Sequence, residues 1–68
     1  MPGVATVTEI MRVARRLAEA QKRLERIRDE RDELIAEAHA QGESPKLLAT
    51  AAGVSENTIF KILRARRR

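Results

Sequence analysis

Residues 44–64 read SPKLLATAAGVSENTIFKILR, and their punctuation is that of two short helices around a tight turn. Ser44 stands directly before Pro45, pairing an N-cap oxygen with a residue whose missing N–H costs nothing in the first helical turn. A helix from Pro45 to about Ala52 is predicted to bury Leu47, Leu48 and Ala51 or Ala52. Gly53 supplies the positive φ of a tight turn, and Val54 plugs the corner. Ser55 is a second N-cap, opening a helix from Glu56 to about Arg66 whose inward stripe is Ile59, Ile62 and Leu63. Two short helices joined by a Gly-containing turn of three or four residues make a helix-turn-helix unit.

Upstream the pattern changes. Thr6 and Glu9 form a T-x-x-E capping box, with Ala5 and Ile10 spaced as a hydrophobic staple. From there to Gln41 there is neither Pro nor Gly, the composition is Ala, Leu, Glu, Arg and Lys, and Gly42 is the natural stop. A helix from Thr8 to Gln41 follows, roughly 51 Å long at 1.5 Å per residue, behind an N-terminal arm of residues 1–7. It carries a heptad register with Ile10, Leu17, Leu24, Arg31 and Ala38 at a, and Val13, Ala20, Ile27, Leu34 and Gln41 at d. Eight of these ten positions are apolar, a seam that calls for another helix, most simply a copy of itself. Ile10, Val13, Leu17, Ala20, Leu24, Ile27, Leu34 and Ala38 are accordingly expected at a homodimer interface.

The flanking charges favour an antiparallel partner. A parallel pair opposes Arg23 to Arg28 and sets Arg31 against its own mate. An antiparallel pair in the register of Leu24 on Ile27 opposes Arg16 to Glu37 and Arg23 to Glu30, places Ala14 beside Ile35, and moves Arg31 opposite Ala20, where it can snorkel outward. Residues 9–28 carry 7 cations and 3 anions, whereas residues 29–43 carry 1 and 6. Antiparallel pairing neutralises both halves.

The two-helix unit is too small to bury its own stripes. The end of the long helix, Leu34, Ile35 and Ala38, is the covalently closest cover for Leu48, Ile59 and Ile62. In the antiparallel arrangement Ile10, Met11 and Ala14 of a second copy, with Val4 and Val7, arrive at the same place, which would couple dimerisation to folding of the unit.

Downstream of Glu43 the charge balance tips. Residues 1–43 hold 8 Lys and Arg against 9 Asp and Glu, but residues 44–68 hold 6 against 1. The whole basic excess lies in that last segment, a footprint suited to a polyanion.

The string SPKLLATAAGVSENTIFKILR resembles the helix-turn-helix of DNA-binding proteins, especially the resolvase and invertase type and small actinobacterial regulators. In that family a small residue, here Ala49, lies where the helices cross, Gly follows four residues later at Gly53, and apolar residues stand at the positions of Val54, Ile59 and Ile62. The long N-terminal helix does not resemble a recombinase catalytic domain, so the resemblance implies binding and not recombination. It implies a recognition helix that presents Ser55, Glu56, Asn57, Phe60, Lys61 and Arg64 to the major groove. Asn57 suits adenine, Lys61 guanine or phosphate, Phe60 a thymine methyl, and Glu56 a cytosine amine or simply the first helical turn. Ser44, the amides at the Pro45 helix start, Lys46 and Thr58 suit phosphates, while Arg66, Arg67 and Arg68 form a backbone clamp or an arm. Ser44 and Ser55 are also fully accounted for as caps.

Other classes are set aside on composition. With 68 residues, no Cys, one Phe, no Trp and no Tyr, the chain supports one small domain without disulfides or thiolate metal sites, and not a sheet protein. No apolar run approaches a membrane span, and the N-terminus lacks the basic start and apolar core of a signal peptide. His39 has no second His or Cys at ligand spacing and reads as a surface or last-turn residue. Asp29, Glu30, Asp32 and Glu33 read as a solvated helix face, and no nucleophile has a base to pair with. No catalytic residue, metal ligand or cofactor site is expected. The expectation is an all-α, cytoplasmic, nucleoid-associated homodimer that binds double-stranded DNA as a small transcriptional regulator, repressor-like by family. The competing expectations are a coiled-coil adaptor that docks on a protein partner, a non-specific architectural DNA binder and, more remotely, a membrane-surface helix that lacks aromatic anchors.

Overall fold

The computed structural model of the chain describes residues 5–66, all of whose regular structure is helical. Three helices follow in order: α1 (Val7–Ala40), α2 (Pro45–Ala52) and α3 (Glu56–Ala65). Arm residues 1–4, Arg67 and Arg68 lie outside the described residues.

The long helix starts and stops where local chemistry directs, one residue earlier than expected at each end. Glu9 N–H donates to Thr6 Oγ1 at 3.1 Å, and Thr6 N–H donates to Glu9 Oε1 at 3.1 Å, so both halves of the capping box are made. At the other end Gly42 takes φ 104°, its N–H donates to the His39 carbonyl at 3.0 Å, and Glu43 N–H reaches back to the Ala38 carbonyl at 3.1 Å. That pair of bonds is a Schellman closure, which satisfies carbonyls the helix leaves free.

The two short helices are closed by the same means. Leu47 N–H donates to Ser44 Oγ at 3.2 Å, and Thr58 N–H donates to Ser55 Oγ at 3.1 Å. Between them Gly53 caps α2 at φ 71°, while Val54 N–H donates to the Ala49 carbonyl at 3.0 Å. Ala49 is buried, leaving room for α3 to cross α2 closely.

The core is small and lies entirely in the second half of the chain. Ile35 of α1, Leu48 and Ala49 of α2, and Ile59 and Ile62 of α3 are buried, with Ala38, Ala52, Val54 and Leu63 packed around them. Ile59 is completely enclosed. Two of the predicted core contacts differ, Leu34 being 63 % exposed and Leu47 54 %. Of Ala51 and Ala52, Ala52 packs against the core and Ala51 stays exposed. Successive helix residues project about 100° apart, so with Ile35 turned into the unit Leu34 points away from it. The same geometry on α2 leaves Leu47 and Ala51 on an outer flank once Leu48 and Ala49 are buried. Ile35 and Ala38 of the same chain cover Leu48, Ile59 and Ile62, so this core closes without a second copy.

The first half of α1 projects beyond the core. The radius of gyration is 18.3 Å and the long dimension 56 Å, against a radius of about 11 Å for a compact domain of this length. Ile10, Val13, Leu17, Leu24 and Ile27 are each 47–61 % exposed, and Ala20 is exposed too. Of the expected interface residues, only Ala38 is engaged by its own chain.

Candidate nucleic-acid interface

α3 separates its side chains by chemistry. Ile59 and Ile62 enter the core and Leu63 is half-buried, whereas Glu56, Asn57, Phe60, Lys61 and Arg64 are exposed. This division follows from the 3.6-residue period, which stacks 59, 62, 63 and 66 on one side and 57, 60, 61 and 64 on the other. Phe60 is the chain's single aromatic residue, and it stands 47 % exposed. In a core this small, an aromatic ring left outside is the largest apolar group the unit declines to bury.

The predicted backbone-contacting residues divide into free and committed groups. Lys46 is exposed in the first turn of α2. Ser44 and Ser55 each accept a helix amide, and Thr58 Oγ1 lies 3.0 Å from Ser55 Oγ and is half-buried. Ser44, Ser55 and Thr58 are thus engaged at helix starts. Arg66 is held within the chain. Its guanidinium donates to Glu33 Oε2 at 3.1 Å, to the Asp29 carbonyl at 3.3 Å and to Asp29 Oδ1 at 3.4 Å. These bonds tie the C-terminus of α3 to α1 and engage the residue expected to clamp DNA.

The acidic stretch is largely the solvated face expected, with the Asp29 and Glu33 side chains 78 % and 66 % exposed, and it also receives this tie. Asp29 and Glu33 are spaced i, i+4 on one side of α1 and receive Arg66, while the partly buried Asp32 accepts from Arg31 Nε at 2.9 Å. Glu30 stays exposed. The spacing of the carboxylates was visible beforehand; that α3 would end beside them depends on how the helices dock. His39, exposed in the last turn of α1, borders a shallow depression with Phe60, Leu63 and Arg64. It therefore adjoins the outer face of α3, a placement its sequence position did not announce.

On the opposite side of the unit an open groove runs between α1 and α2, lined by Ile27, Glu30, Arg31, Leu34, Leu48, Ala51 and Ala52 among others. Its apolar wall is continuous with the exposed seam of α1. Among the described residues no three His, Cys, Asp or Glu side chains converge where they could hold a metal ion, and no helix is long and apolar enough to cross a membrane. Compared with protein-family models, curated proteins and solved structures, the chain matches none.

Proposed function

We propose that the chain is a sequence-specific DNA-binding protein that reads duplex DNA with the outer face of α3 and acts as a small, nucleoid-associated transcriptional regulator of the repressor type. The observation that carries this reading is the division of α3, with Ile59 and Ile62 buried in the core and Asn57, Phe60, Lys61 and Arg64 exposed on the outer side of the helix. Those groups suit base edges: an amide for adenine, a cation for guanine, and a ring for a thymine methyl. Lys46 and the start of α2 suit the flanking phosphates. The basic balance of residues 44–68 adds the sequence-independent attraction that any such protein needs.

Variants of the outer face test the reading. Asn57→Ala and Lys61→Ala are expected to weaken binding to a selected duplex by about 1–3 kcal/mol each and to relax preference at one base position. Lys46→Ala should weaken all sequences alike and flatten the salt dependence. Unchanged affinity and unchanged preference in both α3 variants would remove α3 as the reading element.

A further inference from the structure

We infer that the groove between α1 and α2 is the seat of a second copy of this chain, filled by the first half of the partner's α1 running antiparallel. Self-association through the seam is anticipated by the heptads; the structure adds α2 as a wall of the interface. Ile27 and Leu34 belong to the seam, Leu48, Ala51 and Ala52 to α2, and all five line one groove. A helix lying on the C-terminal half of the seam therefore packs against α2 as well. The exposure of Ala51, an apolar residue of the groove wall on α2, fits such a covering.

Charge and register identify the occupant. From Asp29 to Ala40 α1 carries 5 anions and 1 cation, of which Glu30 lines the groove while Asp29 and Glu33 are engaged by Arg66, and the projecting half is basic, with 7 cations and 3 anions over residues 9–28. With Leu24 over the partner's Ile27, Leu17 falls on Leu34 and Ala20 on Arg31. Arg31 lines the groove but is already paired with Asp32 of its own helix, Nη2 at 2.9 Å from Oδ1, so its charge is balanced within the chain. On the side facing α2 the incoming helix offers Ala14 and Ala18, short enough for close approach.

The arrangement has a consequence that rests on the DNA-binding reading of α3. Ile35 is buried in the unit while the adjacent Leu34 is exposed on the seam, so the α2–α3 unit sits about a quarter turn round α1 from the partner. The two-fold axis of an antiparallel pair is perpendicular to the plane of its helices, so both units project on the same side of that plane. Ile35 lies nine to ten residues from the midpoint of the pair. At 1.5 Å per residue, with helix axes 8–10 Å apart, the two units are about 30 Å from each other. That is close to the 34–36 Å of one DNA turn.

The test uses the full chain at low micromolar concentration. Sedimentation equilibrium is expected to give twice the 7.7 kDa of one chain. Ala51→Arg, exposed in the single chain and checked for unchanged helicity, should raise the dimer dissociation constant about tenfold or more by placing a charge in the groove. Thr50→Arg, outside the groove lining, should change it less than about twofold. Because the chain has no cysteine, oxidising a mixture of Leu17→Cys and Leu34→Cys should give the mixed disulfide, with neither variant pairing with itself. A monomer, self-pairing of either cysteine variant, or a dimer indifferent to Ala51→Arg overturns the inference. A dimer meeting all these criteria that retains no DNA upholds it and removes the role proposed for α3; DNA binding by a strict monomer overturns the interface alone.

Discussion

Gly53 holds φ 71°, and no atom lies within 4 Å of the place a β-carbon would occupy. A side chain there meets no clash, only the intrinsic cost of the left-handed conformation. Gly53→Ala is therefore expected to destabilise the unit by about 1 kcal/mol, with Gly53→Asn costing less, as thermal unfolding followed by circular dichroism would show. Ile59 is the opposite case. It is fully enclosed in a core of five buried residues, and Ile59→Ala should cost about 2–5 kcal/mol, enough to unfold α2 and α3 while leaving part of the α1 signal. Arg66 stands between these extremes, its side chain 27 % exposed and bonded to two exposed carboxylates. Arg66→Ala should cost about 1 kcal/mol or less, and the difference should shrink as salt is added.

Each helix boundary was legible in the sequence to within one residue, because local signals set it. Thr6 with Glu9, Ser44 with Pro45, Gly53 and Ser55 act over at most four residues, and their bonds form as the spacing implies. Burial was less legible where a short helix carries more apolar residues than its contact covers. In KLLATAA both flanks are apolar, and only docking against Ile35 decides that Leu48 and Ala49 go in while Leu47 and Ala51 stay out. The engagement of Arg66 was hidden for the same reason, since it spans 37 residues to Asp29. The outer face of α3 was legible through its period, and the structure exposes Asn57, Phe60, Lys61 and Arg64 together. For α1 the charges make a separable prediction: Arg16→Glu should weaken self-association, and adding Glu37→Arg in the same chain should restore it by re-forming the opposed pair. Sedimentation equilibrium of the single and double variants checks this; equal weakening in both would contradict the antiparallel register.

The whole molecule is a projecting rod with a small helical unit at one end, its radius of gyration 18.3 Å. Six large apolar side chains along the rod, Ile10, Val13, Leu17, Leu24, Ile27 and Leu34, remain 47–63 % exposed. Completing the burial of each is worth about 1 kcal/mol or more, so a second copy adds several kcal/mol per chain that the monomer forgoes. Leu24→Asp should leave the chain monomeric, and because the core closes within one chain, α2 and α3 should stay folded. Its DNA affinity should fall sharply, since one unit then binds where two did. Sequence-specific reading by α3 is tested most directly by selection of random duplex DNA by the full chain at about 150 mM salt, followed by sequencing of the retained pool. Enrichment of inverted half-sites about one helical turn apart is the predicted result. Retention without an enriched motif, or no retention, would contradict sequence-specific reading by α3.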